Sequence, residues 1–153
     1  MMSFTLNPIA FVRGGRDQPI DDDWGHSRAR IELAPGVPHE SLASLDQFSH
    51  AEIIFVFDQV GEDEIVHGAR HPRGRTDWPL VGIFAQRGKN RPNRLGVSVC
   101  TIVSVGEGFV DVQGLDAING TPVLDIKPVV CEFLPRGEIK QPAWVGELMK
   151  DYW

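Results

Sequence analysis

Between Phe84 and Gly96 the chain reads FAQRGKNRPNRLG, which sets Arg87, Lys89, Arg91 and Arg94 among Gly, Asn and Pro. In a protein of formal net charge -6 this is a local reversal of sign. Guanidinium forks bind carboxylates and phosphates bidentately, and Pro92 restricts the backbone that presents them. The segment therefore reads as a ligand loop, set against the plainer alternative of a solvated basic turn balancing acidic neighbours.

A second segment, Gly114 to Pro128, reads GLDAINGTPVLDIKP. Asn119-Gly120 is a turn dipeptide because both residues tolerate positive φ, and Gly120 lets a ligand approach the backbone. Thr121 offers a hydroxyl there, and Pro122 fixes the chain leaving the turn. If residues 123 to 127 form a strand, Asp125 and Lys127 share one face. They are then either a structural ion pair or the polar floor of a site.

Other reactive side chains carry weaker signals. His67 and His71 stand four apart, the spacing of a helical metal pair, but Gly68 and Pro72 argue against a helix, so no metal is expected. Cys100 and Cys131 lie in apolar contexts without CxxC spacing and read as buried, reduced and structural. The acidic runs Asp21 to Asp23 and Glu62 to Glu64 read as solvated loops, although the first lies close enough to Trp24 and His26 to line a pocket.

The elements that must position these residues are mostly strands. Val97, Val99, Val103 and Val105 alternate along 97 to 105, the pattern of a half-buried antiparallel strand with its valines inward. Gly106-Glu107-Gly108 predicts a turn and Phe109 to Val112 the returning strand. The apolar run Ala51 to Phe57 predicts a strand covered on both faces, and shorter strands are expected at Pro8 to Val12, Arg28 to Leu33, Leu80 to Phe84 and Thr121 to Ile126. Helical pieces are predicted at Ser41 to Phe48, from Leu42, Leu45 and Phe48, and at Pro142 to Lys150. Residues 135 to 142 read as a linker or arm, and Tyr152 and Trp153 as rings that a partner subunit could cover. Many short strands with few helices predict a mainly β fold, a small barrel or sandwich.

With 153 residues and 42% hydrophobic content, one domain with its own core is expected. No apolar run approaches the roughly 18 residues of a membrane span, and no signal-peptide pattern opens the chain, so a cytoplasmic location without membrane contact is expected. The acidic balance argues against indiscriminate nucleic-acid binding but leaves room for a small basic patch that docks one RNA.

Three segments in order extend this reading. Leu45-Asp46-Gln47-Phe48-Ser49-His50, Phe84 to Gly96 and Asp116 to Val129 resemble the motifs L-x-x-F-S-H, F-A-T-R-S-x-x-R-P-N-x-I-G and D-x-x-D-G-T-P-V-x-D-I-K-P-Y of the TsaA-like family of S-adenosylmethionine-dependent tRNA methyltransferases. Phe55-Val56-Phe57 matches as well, and the likeness runs over roughly residues 5 to 130. Gln86 and Gly88 stand where the family has Thr and Ser, Asn119 where it has Asp, and Val129 where it usually has Tyr. Arg16-Asp17-Gln18-Pro19 stands where relatives carry Pro-Arg-Gln-Pro.

The resemblance implies a small antiparallel β-barrel methyltransferase, one TsaA-like domain over 1 to 153 with a C-terminal arm and short helix from 131. It implies a homodimer with S-adenosylmethionine near the subunit boundary, acting on N6 of threonylcarbamoyladenosine beside the anticodon of tRNA. No GxGxxG motif of the dinucleotide-binding folds competes with that reading. By analogy Asn119, Gly120, Thr121, Pro122, Leu95 and Gly96 supply backbone contacts to adenine. Phe57 stacks or faces the sulfonium, Arg87 takes the carboxylate, and Asp58 takes an ammonium or hydroxyl, with Gln18, Pro19 and Gln86 completing the cofactor site. Lys89, Arg91 and Arg94 face the RNA backbone or the threonyl carboxylate, and the N6 proton goes to a carboxylate or a bound water, with Asp58 and Asp125 as candidates and no catalytic base assigned. The alternatives are methylation of another substrate, or a regulatory module that binds the cofactor without transfer.

Overall fold

The computed structural model describes residues 1–153. Its strands, in chain order, are β1 (Ala10–Arg13), β2 (Arg28–Leu33), β3 (His50–Val56), β4 (Ala69–Arg70), β5 (Val81–Gly82), β6 (Leu95–Gly106), β7 (Phe109–Gln113) and β8 (Pro122–Pro128). A single α-helix, α1, spans Ala143–Leu148. Six strands close into an antiparallel barrel in the order β1-β2-β7-β6-β3-β8, while β4 and β5 form a separate ribbon. The mainly β, small-barrel expectation holds.

Period-two alternation fills the lumen. Ala10 and Val12, Ile31, Ala51, Ile53 and Phe55, Val110 and Val112, and Val123 all point inward. Leu42 and Leu45 join the same cluster from the connection before β3. The barrel closes where β1 meets β8, through the pairs Ala10 with Val123 and Phe11 with Pro122.

The long strand β6 faces the opposite way from its valine pattern. Val97 and Val99 are 38% and 49% exposed, whereas Ser98 and Cys100 are buried. The large Phe55 of β3 occupies the space that β6 would otherwise fill: a Cβ on Gly96 would lie 2.4 Å from its ring. A register shift between Ile102 and Ser104 then reverses the alternation, so Ile102 and Val105 both pack on the core.

Other elements also depart from the sequence reading. Ser41 to Phe48 is two 3₁₀ turns, His39–Leu42 and Leu45–Gln47, parted by Ser44 at φ 68°. The strand expected at Leu80 to Phe84 shrinks to Val81–Gly82, followed by a 3₁₀ turn. One face of β3 is buried and the other half-buried, rather than both covered. Cys100 is buried, and burial pushes its thiol up to about 12; Cys131, expected to be buried, is exposed.

The arm over residues 135 to 142 is exposed coil, and α1 follows it as expected. The chain then returns to the barrel. Asp23 donates its N–H to the Asp151 carbonyl (2.9 Å) and Trp24 to that of Tyr152 (2.8 Å). Trp78 Nε1 donates to Glu147 Oε2 at 2.7 Å, fixing the helix as well. No helix is long and apolar enough to cross a membrane.

Candidate functional site at one end of the barrel

Antiparallel order sends three connections to the same end: 14 to 27 after β1, 57 to 94 after β3, and 114 to 121 after β7. Strand β3 is the shared support. Its Val56 and Phe55 pair with Leu95 and Gly96 on one side, and Phe55 pairs with Val123 on the other. Phe57 donates its N–H to the Arg94 carbonyl at 2.8 Å, holding the end of β3 to the basic loop. Phe57, Asp58, Leu95, Gly96 and Asn119 to Pro122 are therefore brought together from three distant segments. Phe57 is half-buried, packing edge-on against Phe55 at 5.3 Å between ring centroids.

The turn over residues 118 to 121 uses positive φ only at Gly120 (87°), where an added Cβ would meet open space. Its N–H groups are spent inside the protein. Asn119 donates to the Arg16 carbonyl and Gly120 to that of Val12, both at 2.7 Å, and Thr121 to that of Ile118 at 3.2 Å. The Thr121 hydroxyl, expected to be available, is buried and donates to the Ile118 carbonyl at 2.7 Å. What the turn leaves for a ligand is acceptors, the carbonyls of Asn119 and Gly120, suited to an exocyclic amine.

The Asn119 side chain ties this turn to the loop after β1. Its Oδ1 accepts from the Gly14 N–H at 3.0 Å, and its Nδ2 donates to Asp17 Oδ1 at 3.1 Å. This contact brings the exposed Gln18 and Pro19 to the same end, where the Ile20 N–H donates to the Gln18 carbonyl in a tight turn. Asp17 and Asn119 are both departures from the family pattern. They are in direct contact.

The basic loop is more self-contained than its charge suggests. Arg87 Nη2 donates to the Val97 carbonyl (2.7 Å), Arg91 Nη1 to that of Gln86 (2.7 Å), and Arg94 Nη1 to that of Val60 (2.6 Å). Arg91 and Arg94 thus brace the loop and its neighbour instead of both reaching outward, and Lys89 is half-buried beside them. Asn93 and Arg94 make the bend at φ 62° and 52°. The Gln86 amide donates to the Val81 and Arg70 carbonyls at 3.0 and 3.2 Å and accepts from Arg70 Nε at 3.3 Å. Arg70 also crosses Gly88, where a Cβ would lie 2.4 Å from its Nη2. One arginine accounts for both loop departures, since it occupies the room at Gly88 and engages the amide of Gln86.

The carboxylates separate by environment. Asp125 sits on the outer face in an ion pair with Lys127 (2.8 Å), whose hydrogen bond raises the lysine pKa. This is the structural-pair alternative. Asp58 is exposed and makes no ion pair. Asp22 is bound bidentately by Arg73 at 2.9 and 3.2 Å, and Arg16 donates to the Asp22 and Asp23 carbonyls while lying over Trp24, so the first acidic run is not merely solvated. His71 Nδ1 donates to the Trp78 carbonyl (2.7 Å), and no group of three His, Cys, Asp or Glu side chains is gathered for a metal.

Asp116 carries a feature that residue types alone did not reveal. Its Oδ2 accepts from the Tyr152 hydroxyl, while its Oδ1 is buried without a partner. Burial, then the Asp116 charge and the hydrogen bond, raise the Tyr152 pKa, with Arg87 and Arg73 near enough to oppose them. The available signal was the position of Asp116 at the head of the D-x-x-D-G-T-P motif.

These groups suit an adenosyl sulfonium amino acid. The turn carbonyls are acceptors of the kind an amine needs, Arg87 keeps guanidinium N–H groups beyond the one it gives to Val97, Asp58 is an exposed carboxylate, and Gly120 leaves open backbone. The profile of the tRNA-methyltransferase O N-terminal domain matches residues 15–133. The mouse protein named tRNA (adenine(37)-N6)-methyltransferase is 36% identical over 71% of this chain and 25% of its own length. A Pseudomonas aeruginosa protein named putative S-adenosylmethionine-dependent methyltransferase RcsF is 40% identical over 84% of this chain and 58% of its own. The crystal structure of TrmO from P. aeruginosa superposes with a TM-score of 0.75 at 27% identity, covering 94% of this chain and 62% of that one. The chain thus spans about a quarter of the mouse relative and under two thirds of the bacterial ones. With the profile extending from the loop after β1 past the end of β8, and the barrel shared, the chain belongs to the tRNA-methyltransferase O N-terminal domain family.

Proposed function

We propose that this protein methylates N6 of an adenosine in tRNA, the position-37 base that carries a threonylcarbamoyl group, using S-adenosylmethionine. The observation that carries the reading is the convergence of Phe57-Asp58, Leu95-Gly96 and Asn119 to Pro122 around the end of β3. The name of the mouse relative and its 36% identity support the acceptor.

When bound, S-adenosylmethionine supplies an electrophilic methyl group on a sulfonium. The protein's task is to align the acceptor nitrogen and exclude water. The carbonyls of Asn119 and Gly120 hold the adenine amine, Arg87 holds the carboxylate, and the partly exposed Phe57 ring borders the sulfonium, a contact worth about 0.5 to 2 kcal/mol. Gln18 and Pro19 flank the turn through Asp17. Of the two carboxylate candidates for the proton leaving N6, the pairing of Asp125 with Lys127 supports Asp58, directly or through a bound water.

The reading includes a cytoplasmic homodimer. Val97, Val99 and Leu95 of β6, beside Ile54 and Val56 of β3, form an apolar outer face that a second copy would cover, with the cofactor near the boundary.

Calorimetric titration with S-adenosylmethionine tests the core of this reading; absence of binding to well-folded protein defeats it. Labelled cofactor with tRNA pools that contain or lack the threonylcarbamoyl group tests the acceptor. Labelling confined to the modified pool is expected. Binding without labelling of either pool points to another substrate or to a regulatory module.

A further inference from the structure

The loop arginines Arg87, Arg91 and Arg94 each direct one N–H to a backbone carbonyl, which fixes their direction but leaves their charge, and a second set of cations lies elsewhere on the barrel. On the outer face of β1 and β2, Arg13 and Arg30 are direct cross-strand partners. Like charges placed opposite each other are normally unfavourable. Arg28, two residues before Arg30 and on the same face, adds a third guanidinium about 7 Å along the strand. Together they line a shallow groove of about 290 Å³ with Gly14 and Gly15.

The three charges are not equally free. Arg30 is held bidentately by Asp111 at 2.8 and 3.0 Å and lies over the Phe109 ring. Arg13 lies over the Phe11 ring at 5.3 Å, has Glu32 as its one ion-pair partner at the 4.0 Å limit, and is half-exposed. Arg28 donates to the neutral Gln113 amide at 3.2 Å and keeps its charge uncompensated. Between them the bare backbone of Gly14 and Gly15 runs at φ 75° and 74°, with open space where a Gly14 side chain would be.

We infer that Arg13 and Arg28, across the Gly14-Gly15 backbone, form a docking track for the phosphates of the RNA that presents the acceptor base. Arg28 is the diagonal neighbour of Arg13 across the strand pair, a separation of about 7 to 8 Å that is comparable to the step between successive phosphates of one strand. The track also adjoins the candidate site, because the Gly14 N–H donates to Asn119 Oδ1. An RNA with a base at the Asn119 turn would pass its neighbouring phosphates over these arginines. Glycines let that backbone approach closely. The inference rests on the tRNA reading above, but its test is read without cofactor.

The probe is a fluorescently labelled anticodon stem-loop RNA, followed by anisotropy over a salt series. Arg13→Gln/Arg28→Gln should bind roughly tenfold more weakly at low salt, with the slope of log K against log salt smaller by about 1.4 to 1.8. Arg13→Lys/Arg28→Lys should keep most of the slope, and Lys140→Gln, in the exposed arm, should match the parent. The Gln pair should bind S-adenosylmethionine normally and, in transfer assays, raise KM with little change in kcat. An unchanged slope in the Gln pair, or no salt-dependent RNA binding by the parent, overturns the track, as does equal competition by polyglutamate of matched charge. Failure of the parent to bind S-adenosylmethionine would instead defeat the methyltransferase reading and leave the RNA slope to be judged alone.

Discussion

Asn119 Nδ2 donates to Asp17 Oδ1 at 3.1 Å, although the two residues lie 102 apart in the chain. Both depart from the family pattern, which carries Arg and Asp at these places. In this chain an amide meets a carboxylate at these two places, and Arg and Asp side chains set there would be of opposite charge.

Asn119→Asp should break this contact by placing two carboxylates side by side. Exposure limits the cost, so the melting temperature should fall by about 2 °C, with a several-fold loss of S-adenosylmethionine affinity. Asp17→Arg/Asn119→Asp should recover both quantities. Additive losses in a double-mutant cycle would show that the two positions are independent.

Gly96 faces the Phe55 ring, with room for no Cβ between them. Gly96→Ala should destabilise the barrel by about 1 to 3 kcal/mol in urea denaturation. In a Phe55→Leu background the same substitution should cost clearly less, because the shorter side chain vacates the contact.

Tyr152 is the chain's single tyrosine, so tyrosinate absorbance reports this residue alone. Its folded pKa is raised above the ordinary 10.0, first by burial and then by Asp116. The contribution of the protonated hydroxyl is therefore complete below pH 10 and declines as pH rises beyond it. Tyrosinate should appear only well above pH 10, together with loosening of the tail. Tyr152→Phe should lose that alkaline dependence and start from lower stability.

Val99 lies on the apolar outer face, opposite Glu52 of β3, and is 49% exposed. Val99→Glu should leave a folded barrel by circular dichroism but shift the mass measured by light scattering from two copies to one. A parent protein that is already monomeric would remove the dimer from the proposed function.

The motif order and the barrel were legible because each depends on local signals: turn dipeptides, period-two alternation and short segments bounded by Gly and Pro. The facing of β6 was not. Its outer valines and inner Gly96, Ser98 and Cys100 make the alternation clear but do not say which side is core when an adjacent Phe55 fills the lumen. The Leu42, Leu45 and Phe48 spacing of three suits a 3₁₀ repeat as well as an α-helix, and Ser44 in the left-handed region settles the difference. Arg87, Arg91 and Arg94 announced a charged loop, but their carbonyl partners depend on the folded path of the chain. The Asp116 and Tyr152 contact likewise required the tail to return to the barrel.

Only two residue pairs join β1 to β8, yet that seam also carries the Gly120 and Thr121 hydrogen bonds to Val12. Barrel closure and assembly of the ligand turn should consequently be one event in folding, and a late one, because its contacts are remote in sequence. Breathing of this seam would dissolve the turn before the rest of the sheet opens, so ligand occupancy should slow amide exchange at Val12 and Gly120 ahead of the opposite wall of β7 and β6.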